Sequence, residues 1–459
     1  MEGNLTKGPI LRTLTKLAIP IMASSFLGTL YNITDMAWIG LLGSKAVAGV
    51  GVGGMFTWFS QGFAILARTG GQVKTAHCLG AGENDSAAQY ARGALQLGIL
   101  FAVLYGLVSL FGASRLIGFF KLNSPEVIAQ AEWYVRIACG LVIFSYLNAI
   151  LTGLLTAAGN SRTPFIVNVA GLVFNVVLDP VLIFGIGPFP ELGVSGAAAA
   201  TVTAQALVSL LFFKAVLREK VLFPHLRLWV LVPVKVWREI VRIGVPSAVQ
   251  NLIYAGISMI LTRLITGWGD LAVAAQRVGS QIESVSWMVG DGFSAAVNAF
   301  LGQNYGAKRY DRVLESFWFC VKVSAVFLMT LAVVSFIGAP QIMRVFRKED
   351  LDVIEIGTWA MRFQCLTLPL SAWIVMSNML TQTIGYGFRA SFVAAGRQGL
   401  FLIPALFVLP VRFGIRGLQW CQPVADALTF VLGAVIILGI LKELKGKAAE
   451  ADKEPRNVA

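Results

Sequence analysis

The feature that most restricts the fold of this chain is a series of apolar segments, each long enough to cross a lipid bilayer. A membrane-spanning helix needs roughly 20 apolar residues. We place such segments near residues 15–40, 46–68, 93–114, 134–158, 164–187, 194–217, 243–267, 271–300, 316–338, 358–384, 391–411 and 417–441. Because 56% of the residues are hydrophobic and only 13% are charged, the composition excludes a water-soluble surface. The sequence therefore predicts an all-α integral membrane protein with twelve transmembrane helices.

The two halves of the chain resemble each other. Aligned with a shift of 226 residues, they match without a gap over about eighty residues. The matched pairs include Arg12 with Arg238, Pro20 with Pro246, Gly43 with Gly269, and Gly80-Ala81 with Gly306-Ala307. Since each half holds six spans, both halves enter the membrane from the same side, which predicts two six-helix bundles related by a pseudo-twofold axis along the membrane normal. Two such bundles enclose a central cleft, an arrangement typical of secondary transporters.

This repeat also predicts the domain organisation. We assign an N-terminal six-helix lobe to 1–214, a basic cytoplasmic linker to 215–240, a C-terminal six-helix lobe to 241–445 and a cytoplasmic tail to 446–459. The net charge of +13 is concentrated in the amino terminus, the linker and the tail, and the positive-inside rule assigns these segments to the cytoplasm. We expect a multi-pass protein of the bacterial cytoplasmic (inner) membrane with both termini in the cytoplasm. Anionic membrane lipids explain the basic surface better than nucleic acid does, so we expect no nucleic-acid partner.

The sequence contains few residues that could form a catalytic site. The five cysteines form no CxxC pair and resemble apolar packing residues. His77 and His225 each stand alone, so neither a metal cluster nor a histidine-based catalytic set can be assembled. We expect a monomeric protein that is not an enzyme and has no cofactor and no catalytic residue.

Two carboxylates interrupt apolar segments of the first half. Asp35 lies in the first span, with Tyr31 and Asn32 one helical turn before it on the same face. The fifth span carries Asn175 and Asp179, which also share a face. Charges inside a membrane are costly and usually functional.

Both acids fall in the outer half of the membrane, about 27 and 21 Å from the cytoplasmic starts of their helices. Two neighbouring carboxylates in a low dielectric resist joint ionisation, so the pair either holds a proton or binds a cation. The oxygens of Asp35, Asn175 and Asp179 suit Na⁺, whereas the apolar surroundings suit a proton, and the choice stays open. The repeat partner of Asp35 is the apolar residue Leu261, so the first half alone holds this pair. The alternative is that the two acids only satisfy local donors in the bundle.

A second polar stripe lies in the eighth span, where side chains follow one another at helical spacings of three and four: Gln276, Ser280, Glu283, Trp287 and Asp291. In the functional interpretation, the first four line the central cleft and attract an organic cation. In the structural interpretation, Glu283 pairs with Arg277, and the two interpretations have equal weight. We expect a structural role for Asp291. Trp38 and Met55 are further candidates for adaptable apolar contacts with substrate.

These residues resemble the multidrug and toxic compound extrusion (MATE) transporters, and more closely their bacterial DinF-like branch. The resemblance covers essentially the whole chain. It rests on the YNxxDxxxxG run of Tyr31–Gly40, on the NxxxDP run that begins at Asn175, on the paired Gly-Ala turns and on the six-plus-six repeat. It implies cation-coupled antiport of amphipathic, often cationic, drug-like compounds, with Asp35 and Asp179 as the proton or sodium site. The family's other main branch has acids in spans seven and ten, and this sequence has none there.

Three other functions remain in view. Relatives with a similar two-lobed fold are flippases for lipids or lipid-linked substrates, but their clefts tend to be strongly basic. The predicted lining here is acidic or neutral apart from Arg277, which favours cationic cargo. A membrane enzyme would need a cluster of reactive side chains at one membrane face. A channel would not explain an acid pair confined to one lobe.

Overall fold

The computed structural model describes residues 5–120, 122, 124–217, 222–223, 228–266, 293–346 and 351–451. Within these ranges the chain is helical and contains no strand. The helices of the first half are α1 (Ile10–Leu41), α2 (Ser44–Ala81), α3 (Asn84–Gly118), α4 (Pro125–Ala138), α5 (Ile143–Ala157), α6 (Arg162–Phe184) and α7 (Gly193–Val216). The helices of the second half are α8 (Val234–Thr266), α9 (293–306), α10 (Tyr310–Phe346), α11 (Leu351–Thr383), α12 (Gly387–Ala395), a π-helical turn (Gly396–Leu400) and α13 (Leu402–Ala451). We call α1–α7 the N-lobe and α8–α13 the C-lobe.

The hydropathy of the described helices confirms the prediction of an integral membrane protein. Among the described helices, nine are long and apolar enough to cross a bilayer, or ten if α4 and α5 form one bent span. The predicted span at 271–300 lies mostly outside the described residues, and only its end is seen in α9. The predicted span at 391–411 is divided among α12, the π-helical turn and the start of α13. The helical membrane architecture is therefore as predicted, while individual helices differ from uniform spans.

The bend between α4 and α5 departs from the prediction of one straight span at 134–158. The two helices meet at 49°. Gly140 lies at the bend, where an added Cβ would approach the carbonyl oxygen of Arg136 within 2.1 Å, so a larger residue would not fit. Helix α3 crosses this point with Gly106, whose missing Cβ would lie 2.8 Å from the Gly140 carbonyl oxygen. Close backbone packing at small residues stabilises the bend.

Helix boundaries also differ from the predicted segments near the linker and the tail. Helix α8 begins at Val234, inside the segment assigned to the linker, and α13 continues to Ala451, inside the segment assigned to the tail. Within α13, Gly414 has φ 60° and ψ −141°, which breaks the helix between the last two predicted spans. Glycine reaches this backbone conformation without the Cβ clash that other residues meet.

The lobes contact each other closely at one end of the bundle, where α1 begins, α2 ends and α8 begins. We call this the basic end, because the predicted cytoplasmic charges lie there. An added Cβ on Gly80 would lie 1.9 Å from the carbonyl oxygen of Gln303, and one on Gly306 would lie 2.0 Å from that of His77. Gly80 and Gly306 are repeat partners, as are His77 and Gln303. The two contacts are thus the same contact made in both directions, and we call this pair of contacts the glycine seal.

Polar contacts reinforce the seal. The side chain of Gln303 accepts a hydrogen bond from the backbone N–H of Leu5 (2.9 Å) and donates one to the carbonyl of Ala157 in the N-lobe (2.6 Å). Nearby, Lys74 of α2 forms an ion pair of 2.5 Å with Glu239 of α8. The amino-terminal segment, the N-lobe and the C-lobe are therefore joined at the basic end.

Candidate functional site

A large cavity lies between the two lobes. Its volume is about 1030 Å³, the upper end of the range for small-molecule sites. Helix α1 lines it with one continuous face from Leu11 to Asn32, at spacings of three and four residues. Helices α2, α8, α9, α10 and α11 and the α12 region supply the other walls. The predicted central cleft is thus present in this structure.

The predicted acid pair lies one turn beyond the end of that lined face. Asn32 borders the cavity, and Asp35, three residues further along α1, is buried. Helix α1 packs along α6, where Asn175 and Asp179 are also buried. The side-chain amide of Asn175 donates a hydrogen bond of 3.2 Å to Asp179 Oδ1, and Asp179 is close enough to Asp35 for the two charges to interact. The structure therefore brings together residues from two distant parts of the sequence, on α1 and α6.

Three oxygens of this cluster have no hydrogen-bond partner within the described part of the chain: Asp35 Oδ1, Asn175 Oδ1 and Asp179 Oδ2. Buried polar atoms normally have partners, because desolvation without compensation is costly. Carboxylate and amide oxygens are suitable ligands for a hard cation, and a shared proton would also relieve the repulsion between the two acids. The donor set fits either species.

Apolar and aromatic side chains surround the acid pair. Tyr134 of α4 is buried within electrostatic range of both carboxylates. Trp38, one turn from Asp35, packs edge-on against Phe184, with ring centroids 6.3 Å apart. Tyr31 lies on α1, but its side chain is outside the described part of the structure. The surroundings keep the dielectric low around the acids.

The cleft residues proposed from the sequence need correction. Trp38 and Met55 are not among the residues that line the cavity, because Trp38 packs against Phe184 instead and Met55 is half-buried elsewhere on α2. Trp58, a neighbour of Met55 in sequence, does line it and contacts Tyr254 of the C-lobe with ring centroids 5.2 Å apart. Gln276, Ser280, Glu283 and Trp287, together with Arg277 and Asp291, lie outside the described residues.

Sequence reasoning missed an ion pair in the C-lobe. Arg397, on the π-helical turn, lines the cavity and contacts Asp426 of α13, with 2.7 Å between Nε and Oδ1. Both side chains are almost fully buried, and Gln422 donates a further hydrogen bond to Asp426 Oδ1 at 3.0 Å. Asp426 is an acid in an apolar segment, the same signal that identified Asp35.

Several known proteins are similar to this chain. The family model MatE matches the chain twice, at residues 20–181 and 246–408. A protein named "Probable multidrug resistance protein NorM" from Thermotoga maritima is 32% identical over 357 residues, covering 76% of this chain and 74% of the relative. "Multidrug export protein MepA" from Staphylococcus saprophyticus is 22% identical and covers 95% of both chains.

A solved structure has the same fold. It is described as an outward-facing conformation of a multidrug resistance MATE family transporter of the MOP superfamily. It aligns with a TM-score of 0.89 at 22% identity and covers 97% of this chain and 99% of its own. The double match of the family model coincides with the two halves of the internal repeat.

Proposed function

Since the chain belongs to the MatE family of transporters, we propose that it exports amphipathic organic compounds by cation-coupled antiport. The protein is a multi-pass membrane transporter and not an enzyme. The observation that carries the proposal is the position of three oxygens, on Asp35, Asn175 and Asp179, that have no hydrogen-bond partner among the described residues and lie one turn beyond the cavity-lining residue Asn32. A cation entering this cluster would act on the same helix, α1, that forms one wall of the cavity.

Alternating access is the mechanism that we propose. We assign the basic end to the cytoplasmic side, so that the glycine seal lies across the cytoplasmic route and its contacts define the closed state of that route. A proton or Na⁺ that binds between Asp35 and Asp179 removes their repulsion and allows α1 to bend, which reduces the cavity and releases the compound outward. The cation is then released to the cytoplasm when the seal opens.

The energetics are adequate without a nucleotide. One charge that moves through 100 mV provides about 2.3 kcal/mol, or roughly 50-fold in the concentration ratio of an exported compound. One or two cations per cycle therefore support a useful gradient. The lipid flippase is not favoured by the two relatives compared above, which are named for multidrug resistance and export.

The test uses the full chain in proteoliposomes that contain a fluorescent organic compound. A pH gradient and a Na⁺ gradient are imposed separately, and export that follows only one of them identifies the coupling ion. The Asp35→Asn variant should lose coupled export, whereas the matched control Asp85→Asn, an exposed acid at the start of α3, should retain it. Export driven by neither gradient would reject antiport.

A further inference from the structure

Amide side chains recur on the cavity lining, and some of them already join parts of the protein. Gln72 of α2 donates a hydrogen bond of 2.8 Å to a backbone carbonyl of the C-lobe. Gln382 of α11 donates one of 2.8 Å to the carbonyl of Ile243, and the hydroxyl of Thr383 donates to Asn298 Oδ1. These three amides therefore have a structural role.

Two other amides on the lining have an oxygen without a partner. Asn251 of α8 and Asn378 of α11 both line the cavity, and the Oδ1 atom of each is buried. Neither oxygen has a hydrogen-bond partner within the described part of the chain. Burial of a polar atom without a partner is costly, so native proteins rarely keep one. A compound in the cavity that donates hydrogen bonds would supply the missing partners.

Gln250 links these two amides. The Nδ2 atom of Asn378 donates a hydrogen bond of 3.4 Å to Gln250 Oε1, and Gln250 precedes Asn251 in the chain. This bond turns the NH2 group of Asn378 towards Gln250 and its oxygen away from it. An amide NH2 group has two N–H donors, so Asn378 keeps one N–H beside this bond. Each asparagine can thus offer an acceptor and a donor from one planar group.

An aromatic wall lies one helical turn from the two amides. Tyr254 follows Asn251 by three residues on α8 and also lines the cavity. Its ring contacts Trp58 of α2, with ring centroids 5.2 Å apart and an interplanar angle of 83°. Trp58 is 42% exposed, so part of its indole ring is open to the cavity. A planar compound that the amides hold can therefore pack against this ring.

We propose that Asn251 and Asn378 bind planar, neutral heterocycles that carry two ring N–H groups, with one N–H donated to each asparagine oxygen. This inference rests on the proposed transport function and names a substrate class for the same cavity. A ring carbonyl beside each N–H accepts a second hydrogen bond from the same asparagine. Asn and Gln bind the edge of adenine in DNA by this two-bond pairing. Trp58 receives the apolar face of the ring.

The test uses tritiated quinazoline-2,4-dione, which has two ring N–H groups, and its 1-methyl, 3-methyl and dimethyl derivatives. Equilibrium dialysis measures binding to the purified full chain in nanodiscs, and binding to empty nanodiscs is subtracted. Each methylation removes one donor and leaves one buried oxygen without a partner, so each should weaken binding about 10-fold. Equal affinities for the unmethylated and dimethyl compounds would overturn the proposal without any variant.

Substitutions assign each N–H group to one asparagine. Asn251→Leu and Asn378→Leu should each abolish the effect of one methylation and preserve the effect of the other. Asn84→Leu is the matched control, because Asn84 is exposed at the start of α3 and does not line the cavity. Asn251 Oδ1 has no partner to lose, so Asn251→Leu should unfold at the wild-type temperature. If this folded variant keeps both 10-fold effects, the proposal is wrong.

Failure of this inference is distinguishable from failure of antiport. Gradient-driven export of an amphipathic compound, together with equal binding of all four probes, would reject the inference and leave antiport intact. Binding that falls with each methylation, without export driven by either gradient, would do the reverse.

Discussion

Asp179 in the N-lobe and Asp426 in the C-lobe are both buried acids on membrane helices that contain a proline, yet their partners differ. Asp426 accepts hydrogen bonds from Arg397 and Gln422, and its charge is neutralised by the arginine. Asp179 has the amide of Asn175 and a second acid, Asp35, beside it. Within the described chain, no cationic side chain forms an ion pair with Asp35 or Asp179.

The difference separates two uses of a buried carboxylate. An acid with a fixed counter-charge has its electrostatic cost met by the protein itself, so it serves to position the arginine. An acid pair without a counter-charge needs a mobile cation or a proton to reach a favourable state. The two lobes are related by sequence, but they differ in their buried acids: the N-lobe pair is the ion site of the proposed mechanism, whereas the charge of the C-lobe acid is balanced by an arginine.

The largest effect is expected from neutralising the N-lobe acids. In Asp35→Asn and Asp179→Asn, the accumulation ratio that a 100 mV potential supports should fall by up to about 50-fold, the ratio that corresponds to one coupled charge. Proteoliposome export measures this change. The unfolding midpoint in detergent should be unchanged or higher, because oxygens without partners are replaced by a neutral amide. Wild-type accumulation in both variants would remove the distinction between the lobes.

The C-lobe pair should affect stability and not the driving force for transport. Arg397→Leu leaves Asp426 buried without its counter-charge, which should cost about 3–5 kcal/mol of unfolding free energy. The double variant Arg397→Leu with Asp426→Leu should recover most of that loss, because it removes both charges. Thermal unfolding in detergent measures both values. If the double variant is as unstable as the single one, the pair has a role beyond charge neutralisation.

The sequence predicted the N-lobe site because its signal is local. The signal is the presence of polar residues in apolar segments, at Asp35, Asn175 and Asp179. Helical spacing alone then indicates which residues share a helix face. Asp426 carries the same signal, since it is also an acid in an apolar segment, but its ion pair with Arg397 depends on tertiary packing. The position of Arg397 on the cavity wall depends on how the π-helical turn contacts the neighbouring helices. Hydropathy and spacing contain no information on that contact.

The helix geometry was likewise predicted only in part. The apolar segments identify the membrane helices, since bilayer thickness fixes their length. The bend at Gly140 was not predicted, because it depends on the approach of Gly106 from α3. The glycine seal was partly predicted: the repeat identified Gly80 and Gly306 as partners, but their contact with the carbonyls of Gln303 and His77 is a tertiary property. The assignment to the DinF-like branch stays a prediction.

A smaller effect is expected at the glycine seal, where the lobes agree. Gly80→Ala and Gly306→Ala each place a methyl group against a backbone carbonyl, and overpacking of this kind costs about 1–3 kcal/mol. The closed state should lose at least about fivefold in population. Labelling of a cysteine at position 72 by an impermeant maleimide, in a background without native cysteines, measures access from the basic end. Gly51→Ala is the matched control, because an added Cβ there meets nothing within 4 Å.

The symmetry of the two glycine contacts provides a stricter test of the seal than either variant alone. Since Gly80 and Gly306 make reciprocal contacts, their alanine variants should increase labelling by similar factors. A large change in one variant alone would mean that the seal is asymmetric, like the acid sites.

The smallest effect is expected at the ion pair between Lys74 and Glu239, where the lobes again differ. The repeat partner of Lys74 is Phe300, so this contact exists once, whereas the glycine contact exists twice. Both side chains are partly exposed, at 22% and 27%, and Tyr90 donates a further hydrogen bond of 2.6 Å to Glu239. Reversal of one charge in Lys74→Glu should destabilise the closed state by about 1 kcal/mol, and the double reversal with Glu239→Lys should restore it. The same labelling assay measures both.

The control is an ion pair that is more exposed. Lys45→Glu reverses the charge of a pair with Glu126 whose side chains are 61% and 55% exposed, and it should leave labelling unchanged. If Lys74→Glu also leaves labelling unchanged, this ion pair does not contribute to the seal.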